Sequence, residues 1–142
     1  MTAKTTRAVA YIRTAAPQQV REHWTGEQAQ RIKRYCCQKG YSLVGSFVDY
    51  GVAGNGAGKG LRDALSLLRE GQAEVLIVVN VSRLSRSVAA LARLVDAYFG
   101  DGARGLVALD EGLDTRTANG RFVLGLLSVI HRWDARAVSH VS

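Results

Sequence analysis

Val75-Leu76-Ile77-Val78-Val79, followed by Asn80-Val81 and then Ser82-Arg83-Leu84-Ser85-Arg86, is the stretch that decides the fold of this chain. The first five residues are wholly apolar and rich in β-branched side chains, bounded by turn-forming residues at Gly71-Gln72-Ala73 and at Asn80. A continuous apolar run of that length reads as a strand buried on both faces, the pattern of a parallel sheet covered by helices. Ligands of open α/β sheets bind beyond the carboxyl ends of strands, which is where Arg83 and Arg86 emerge. A guanidinium keeps its proton and offers a planar fork of donors matched to phosphate oxygens. The run therefore predicts an oxyanion or phosphate site, against the competing reading of a solvated surface pair. Arg7-Ala8-Val9-Ala10-Tyr11-Ile12-Arg13 reads as a second strand that also ends in an arginine. Two parallel strands of this kind would bring their arginines to one edge and one anion.

The bulk properties agree with a basic, globular protein. A chain of 142 residues is one domain with room for a proper core. Its formal net charge of +7 points to an acidic partner, nucleic acid being the commonest, unless the charge serves only solubility. Cys36 and Cys37 are adjacent, a spacing that suits neither an ordinary disulfide nor a metal site. They are expected to be buried small apolar residues in a reducing compartment. No run approaches a membrane span, and the Met1-Thr2-Ala3-Lys4 start has no apolar signal core. The expected location is cytoplasmic, nucleoid-associated in a bacterium if the protein is DNA-bound, with no membrane partner.

In order, the chain alternates strand and helix. Residues 14–19 form a loop with the only proline, Pro17. A helix is predicted from about Thr25 to Lys39, with Thr25 and Gln28 as a capping box, Ile32, Tyr35 and Cys36 inward, and Gly40 as its stop. A strand follows over Tyr41–Val48 and ends in Asp49. The next ten residues, 51–60, contain five glycines (Gly51, Gly54, Gly56, Gly58, Gly60), a backbone free to wrap an anion or to move. The spacing there lacks the Lys-Ser/Thr pair of a P-loop, and a dinucleotide fingerprint would follow the first strand rather than the second. Helices are predicted at Leu61–Glu70 and at Val88–Phe99, the latter capped by Ser87, with a strand at Gly105–Leu109. Asp114-Thr115-Arg116-Thr117 opens a last helix from about Ala118. This βαβαβαβα order predicts an α/β fold with a largely parallel sheet.

Several of these residues together carry a family resemblance. Tyr11-Ile12-Arg13-Thr14-Ala15, Gln28, Asp49 before a Gly-containing loop, Ser82-Arg83-Leu84-Ser85-Arg86, and Asn119-Gly120-Arg121-Phe122 stand in the order found in serine recombinases, the resolvase and invertase family. The chain resembles their catalytic domain from about Arg7 to Arg136. The resemblance implies a three-layer fold with a four- to five-stranded, largely parallel sheet, flanking helices and a long C-terminal helix of about residues 118–140, all in one domain spanning 1–142. Members of the family cut DNA through a serine hydroxyl that attacks a backbone phosphate, then exchange and religate strands within a tetramer. They need no metal and no other cofactor.

The departures from the family pattern are as informative as the match. The nucleophile position falls on Ala15, the serine of the Gly-rich loop on Ala53, and the aspartate before the central arginine on Ser82. What the resemblance retains is an anion-binding set, Arg13, Arg83, Arg86 and Arg121, with Lys59 in place of the loop arginine. Positive charge without an activated nucleophile binds a phosphate but does not transfer it. Thr14 is one residue early, so on an extended chain its side chain points to the opposite face. Strand cleavage is therefore not expected.

Phe122, Leu126, Ile130, Trp133, Ala137 and Val141 recur at helical spacing along the last helix. In the family the matching helix makes the dimer interface, so Ile130, Trp133 and Ala137 are expected at a subunit contact in a homodimer or higher oligomer. Family members usually continue into a helix-turn-helix module, which is not expected in this chain; contact with DNA would then be weak, salt-sensitive and largely independent of sequence. The reading that follows is a catalytically silent recombinase domain of a mobile-element or recombination system, acting through DNA backbone binding, a recombinase partner, or both. Two alternatives stay open: an active recombinase with a relocated nucleophile, and a phosphate-binding module unrelated to DNA.

Overall fold

A computed structural model of the protein describes residues 5–14, 21–50, 58–84, 88–100, 103–123 and 125–126, with backbone alone at 21–24 and 88. Five strands are found among them: β1 (Arg7–Thr14), β2 (Ser42–Tyr50), β3 (Val75–Val78), β4 (Gly105–Ala108) and β5 (Leu113–Asp114). They are joined by α1 (Arg21–Lys39), α2 (Lys59–Arg69), α3 (Val88–Phe99) and a 3₁₀ turn at Val81–Arg83. The sheet order is β2-β1-β3-β4-β5, with β1 to β4 parallel and β5 antiparallel to β4. This is the expected three-layer α/β architecture.

Strand alternation builds two cores from one sheet. Val9, Tyr11, Leu76, Val78, Leu106 and Ala108 face α2 and α3, meeting Leu61, Leu65, Leu68, Val95 and Phe99. Ala8, Ala10, Ile12, Val75, Ile77 and Val107 face α1, meeting Ile32 and Cys36. All four residues of β3 are buried, as its apolar run predicts. Each large side chain sealed in this way contributes about 1.5–3 kcal/mol relative to leaving it in water.

The second strand departs from a plain period of two. Its pairing with β1 slips between Ala8, opposite Leu43, and Val9, opposite Gly45, so Val44 is an extra residue. This bulge lets Leu43 pack on the α1 side while Phe47 packs on the α2 side. Gly45 fits closely beside it: a Cβ there would stand 3.2 Å from both the Leu67 and Phe47 side chains, which would have to shift slightly to admit it.

Other boundaries also shift from those expected. The first helix begins at Arg21, so Thr25 lies inside it and the Thr25–Gln28 pair is not a capping box. It ends at Gly40 as expected: φ is +72°, and the Tyr41 N–H returns to the Cys36 carbonyl at 2.9 Å. Of the two cysteines, Cys36 is buried but Cys37 is exposed, since neighbours on a helix cannot share one face. The second helix starts at Lys59 rather than Leu61, for a reason that lies in Asp49. The last helix begins at residue 118 as expected, and the Asp114 that precedes it also ends a short strand, β5, beyond those expected. Helical backbone is described through residue 126, so the expected length of the last helix, together with Ile130, Trp133 and Ala137, lies outside the described residues.

Candidate anion site at the ends of β1 and β3

The sheet order places a topological switch between β1 and β3. The chain leaves β1 for α1 on one face, and leaves β3 for α3 on the other. A crevice opens at such a point beyond the carboxyl ends of the strands. Arg13, near the end of β1, and Arg83, ending the 3₁₀ turn after β3, both stand there.

The two arginines are interlocked through main-chain carbonyls. Arg13 Nη2 donates to the Ser82 carbonyl, and Arg83 Nη1 donates to the Arg13 carbonyl at 3.0 Å. Gln28, one of few buried polar residues, donates from Nε2 to the same Arg13 carbonyl at 3.2 Å. Among the described residues, Gln28 Oε1 and Arg83 Nε are buried without a hydrogen-bond partner.

Acidic residues hold the arginine-bearing turn from the other side. Asp110, after β4, accepts from Arg31 of α1 at 2.7 Å and from Asn80 Nδ2 at 3.1 Å. Those bonds, Arg31 first, hold its carboxyl below the usual range. Glu111 receives the Val81 N–H at 3.3 Å. Ser82 Oγ donates to Asn80 Oδ1 at 2.5 Å.

Asp49 anchors the neighbouring corner. Its Oδ1 accepts the Gly60 N–H at 2.8 Å, and its Oδ2 accepts the Leu61 N–H at 3.1 Å and the Tyr11 hydroxyl at 2.8 Å. The carboxylate thus sits on the free N–H groups and positive dipole end of α2, which extends the helix back to Lys59. Burial alone would raise the Asp49 pKa, but bonds from Tyr11, Gly60 and Leu61 and the charge of Arg13 outweigh it and hold it low. Burial, then the bond to Asp49, pushes the Tyr11 hydroxyl well above its ordinary value. The glycines flanking Lys59 follow from this seat: a Cβ would stand 2.5 Å from Asp49 Oδ2 at Gly58 and 2.9 Å from Oδ1 at Gly60.

Of the residues singled out by sequence, Arg13 and Arg83 come together. Lys59 is exposed in the first turn of α2, next to the glycine bound by Asp49, and Asp49 is the register partner of Arg13. Arg121 lies on the helix that begins at residue 118, after β5. Ala15, Ala53 and Arg86 lie outside the described residues. Thr14 is 4% exposed, with the parity of Ile12, which packs under α1. Sequence reasoning missed the Asn80–Asp110–Arg31 tether, since single polar residues at loop positions carry no pattern. The Asp49 seat did leave a signal in Gly58 and Gly60 on either side of a helix start.

An open, doubly wound α/β domain with an arginine pair at its switch point is the class of protein that this geometry defines. The family description "Resolvase, N terminal domain" matches residues 8–140, and the chain belongs to that family, the catalytic domain of the serine recombinases that carry out site-specific recombination. Solved structures agree on the fold. The N-terminal catalytic domain of TP901-1 integrase superposes with a TM-score of 0.81 at 24% identity, over 93% of this chain and 98% of that one. A resolvase family site-specific recombinase from Streptococcus pneumoniae gives 0.75 at 18% identity, over 95% of this chain and 91% of that one. The C-terminal catalytic domain of ISC1926 TnpA, an IS607-like serine recombinase, gives 0.63 at 22% identity, over 72% and 67%. A search of curated proteins found no match. Among the described residues, no helix is long and apolar enough to cross a membrane, and no cluster of ligating side chains could hold a metal ion.

Proposed function

We propose that this domain is a catalytically silent member of its family that contacts the DNA backbone and pairs with recombinase subunits, its own copies included. The observation that carries the reading is the state of the described hydroxyls beside the arginine pair. By resemblance to the family, the nucleophile position falls on Ala15. Thr14 is buried, and the Ser82 hydroxyl donates to an amide oxygen rather than to a base. Phosphoryl transfer needs an activated nucleophile in line with the leaving oxygen, whereas Arg13, Arg83, Arg86, Lys59 and Arg121 supply charge for backbone contacts. Pairing is supported by Phe122 and Leu126, one helical turn apart and 69% and 49% exposed. The domain then works as one unit over residues 1–142, in the compartment that holds the DNA.

The test incubates the protein with labelled supercoiled DNA, quenches in denaturant, and looks for a covalent adduct, with binding measured across a salt series. Binding that weakens steeply with salt and leaves no adduct is the expected result. An adduct would overturn catalytic silence. Absence of DNA binding, with tight binding of a small phosphate compound, would favour an anion-binding module instead.

A further inference from the structure

The helix that begins at residue 118 rests on an elaborate base away from the arginine pair. The Asp114 carbonyl accepts both the Thr117 N–H at 3.0 Å and the Thr117 hydroxyl at 2.8 Å. Thr117 Oγ1 in turn accepts the Gly120 N–H at 3.0 Å, a side-chain N-cap, and the Arg121 N–H closes the first turn on the Thr117 carbonyl at 2.9 Å. Gly120 is pressed so closely onto β5 that a Cβ would fall 1.9 Å from the Asp114 carbonyl oxygen. Only glycine permits this seat.

From the same base a strut crosses the sheet. Arg116 is fastened to Asp114 through its N–H, at 3.0 Å, and through Nε, at 3.4 Å. Its guanidinium then reaches Tyr41, with Nη2 at 2.5 Å from the hydroxyl and the ring centroid 5.5 Å away. Its stem lies over Gly105, where a Cβ would stand 2.7 Å from Arg116 Cδ. Tyr41 joins α1 to β2 and packs edge-on against Tyr35 at 5.9 Å. Because β2 and β5 are the two outer strands, this one side chain ties the base of the last helix to the far corner of the sheet.

We infer that Arg116 and Tyr41 are positioning residues for subunit pairing: the strut, with the Thr117 cap and the Gly120 seat, sets the direction in which the helix carries Phe122 and Leu126 toward the matching helix of a second recombinase-family subunit. The inference rests on the pairing proposed above. The strut holds Asp114, whose carbonyl carries the Thr117 cap and lies against the Gly120 seat, so it acts on the helix through that shared base. Its removal changes the geometry of an apolar face that neither residue forms.

The experiment compares the full chain with Phe122→Asp, Tyr41→Phe, Arg116→Gln and Arg116→Lys by sedimentation velocity, thermal unfolding and amide hydrogen exchange. Phe122→Asp is expected to dissociate the wild-type assembly, which tests pairing alone. Tyr41→Phe and Arg116→Gln are expected to weaken self-association by about tenfold and to speed exchange at the Arg121 amide, with Arg116→Lys retaining part of the wild-type affinity. Unchanged association and exchange in Tyr41→Phe and Arg116→Gln, with Phe122→Asp monomeric, would overturn the strut and leave pairing standing. A fall in melting temperature with no change in association would reduce the strut to a fold-stabilising contact. A wild-type monomer would overturn self-pairing, and with it any role of the strut in it.

Discussion

The Tyr11 hydroxyl donates to Asp49 Oδ2 at 2.8 Å, joining the carboxyl-end halves of β1 and β2 to the first turn of α2. Asp49 ionises below its ordinary value of 3.8 and Tyr11 above its ordinary 10.0. For Asp49 the folded form binds its proton less readily than the unfolded form, so its contribution is present above about pH 4 and lost as pH falls further. For Tyr11 the folded form keeps the proton longer, so stability is present below about pH 10 and lost as pH rises beyond it. Urea unfolding across pH is expected to show a plateau between these limits, and Tyr11→Phe to lower it by about 1.5–3 kcal/mol while flattening the alkaline fall. An alkaline limb as steep in Tyr11→Phe as in the wild type would contradict this.

Gly60 lies in the first turn of α2, where alanine would ordinarily stabilise a helix by about 1 kcal/mol. Here the new Cβ would meet Asp49 Oδ1 at 2.9 Å. Gly60→Ala is expected to destabilise by about 1–3 kcal/mol, and by less when Asp49 is also changed to Ala, because the Val48 carbonyl oxygen, 3.0 Å from the new Cβ, remains in its way. The double-mutant cycle reads the share of the cost that belongs to Asp49.

Thr115, 1% exposed, accepts the Leu106 N–H on Oγ1 at 2.8 Å and returns its own N–H to the Leu106 carbonyl at 3.0 Å. Thr115→Val keeps the shape and leaves a buried strand N–H without an acceptor. Equilibrium unfolding is expected to show a loss of about 1–3 kcal/mol, large for a change of one atom group.

Arg83→Ala is expected to weaken DNA binding about equally across unrelated sequences and to reduce the salt slope by about 1. Because Arg83 also holds the Arg13 carbonyl, the variant should unfold more easily as well. Fluorescence anisotropy over a salt series, alongside thermal unfolding, separates the two effects. A sequence-selective loss of binding would point to base contacts rather than to phosphate.

Ala15→Ser alone is expected to yield no covalent DNA adduct, since Ala53 and Ser82 also depart from the family pattern. A phosphoserine linkage detected on denaturing gels with this single change would show that the rest of the site remains competent.

By itself the sequence determined the class of fold. A short, β-branched apolar run bounded by turn residues reads as a strand in a covered sheet, and the glycines and apolar stripes around it mark alternating strands and helices. It also placed Arg13 and Arg83 at strand exits, because chain order and parallel pairing carry both residues to one edge. The tertiary structure alone decided how the polar groups are satisfied. The Val44 bulge arises from two cores competing for one strand, and Asp49 acts on a helix that starts ten residues later. The guanidinium of Arg83 ends on a carbonyl 70 residues away, and that of Arg116 on a hydroxyl 75 residues away. Local propensity acts over a few neighbours, whereas a buried donor takes whatever acceptor folding brings within reach, and that choice exists only once the sheet has closed.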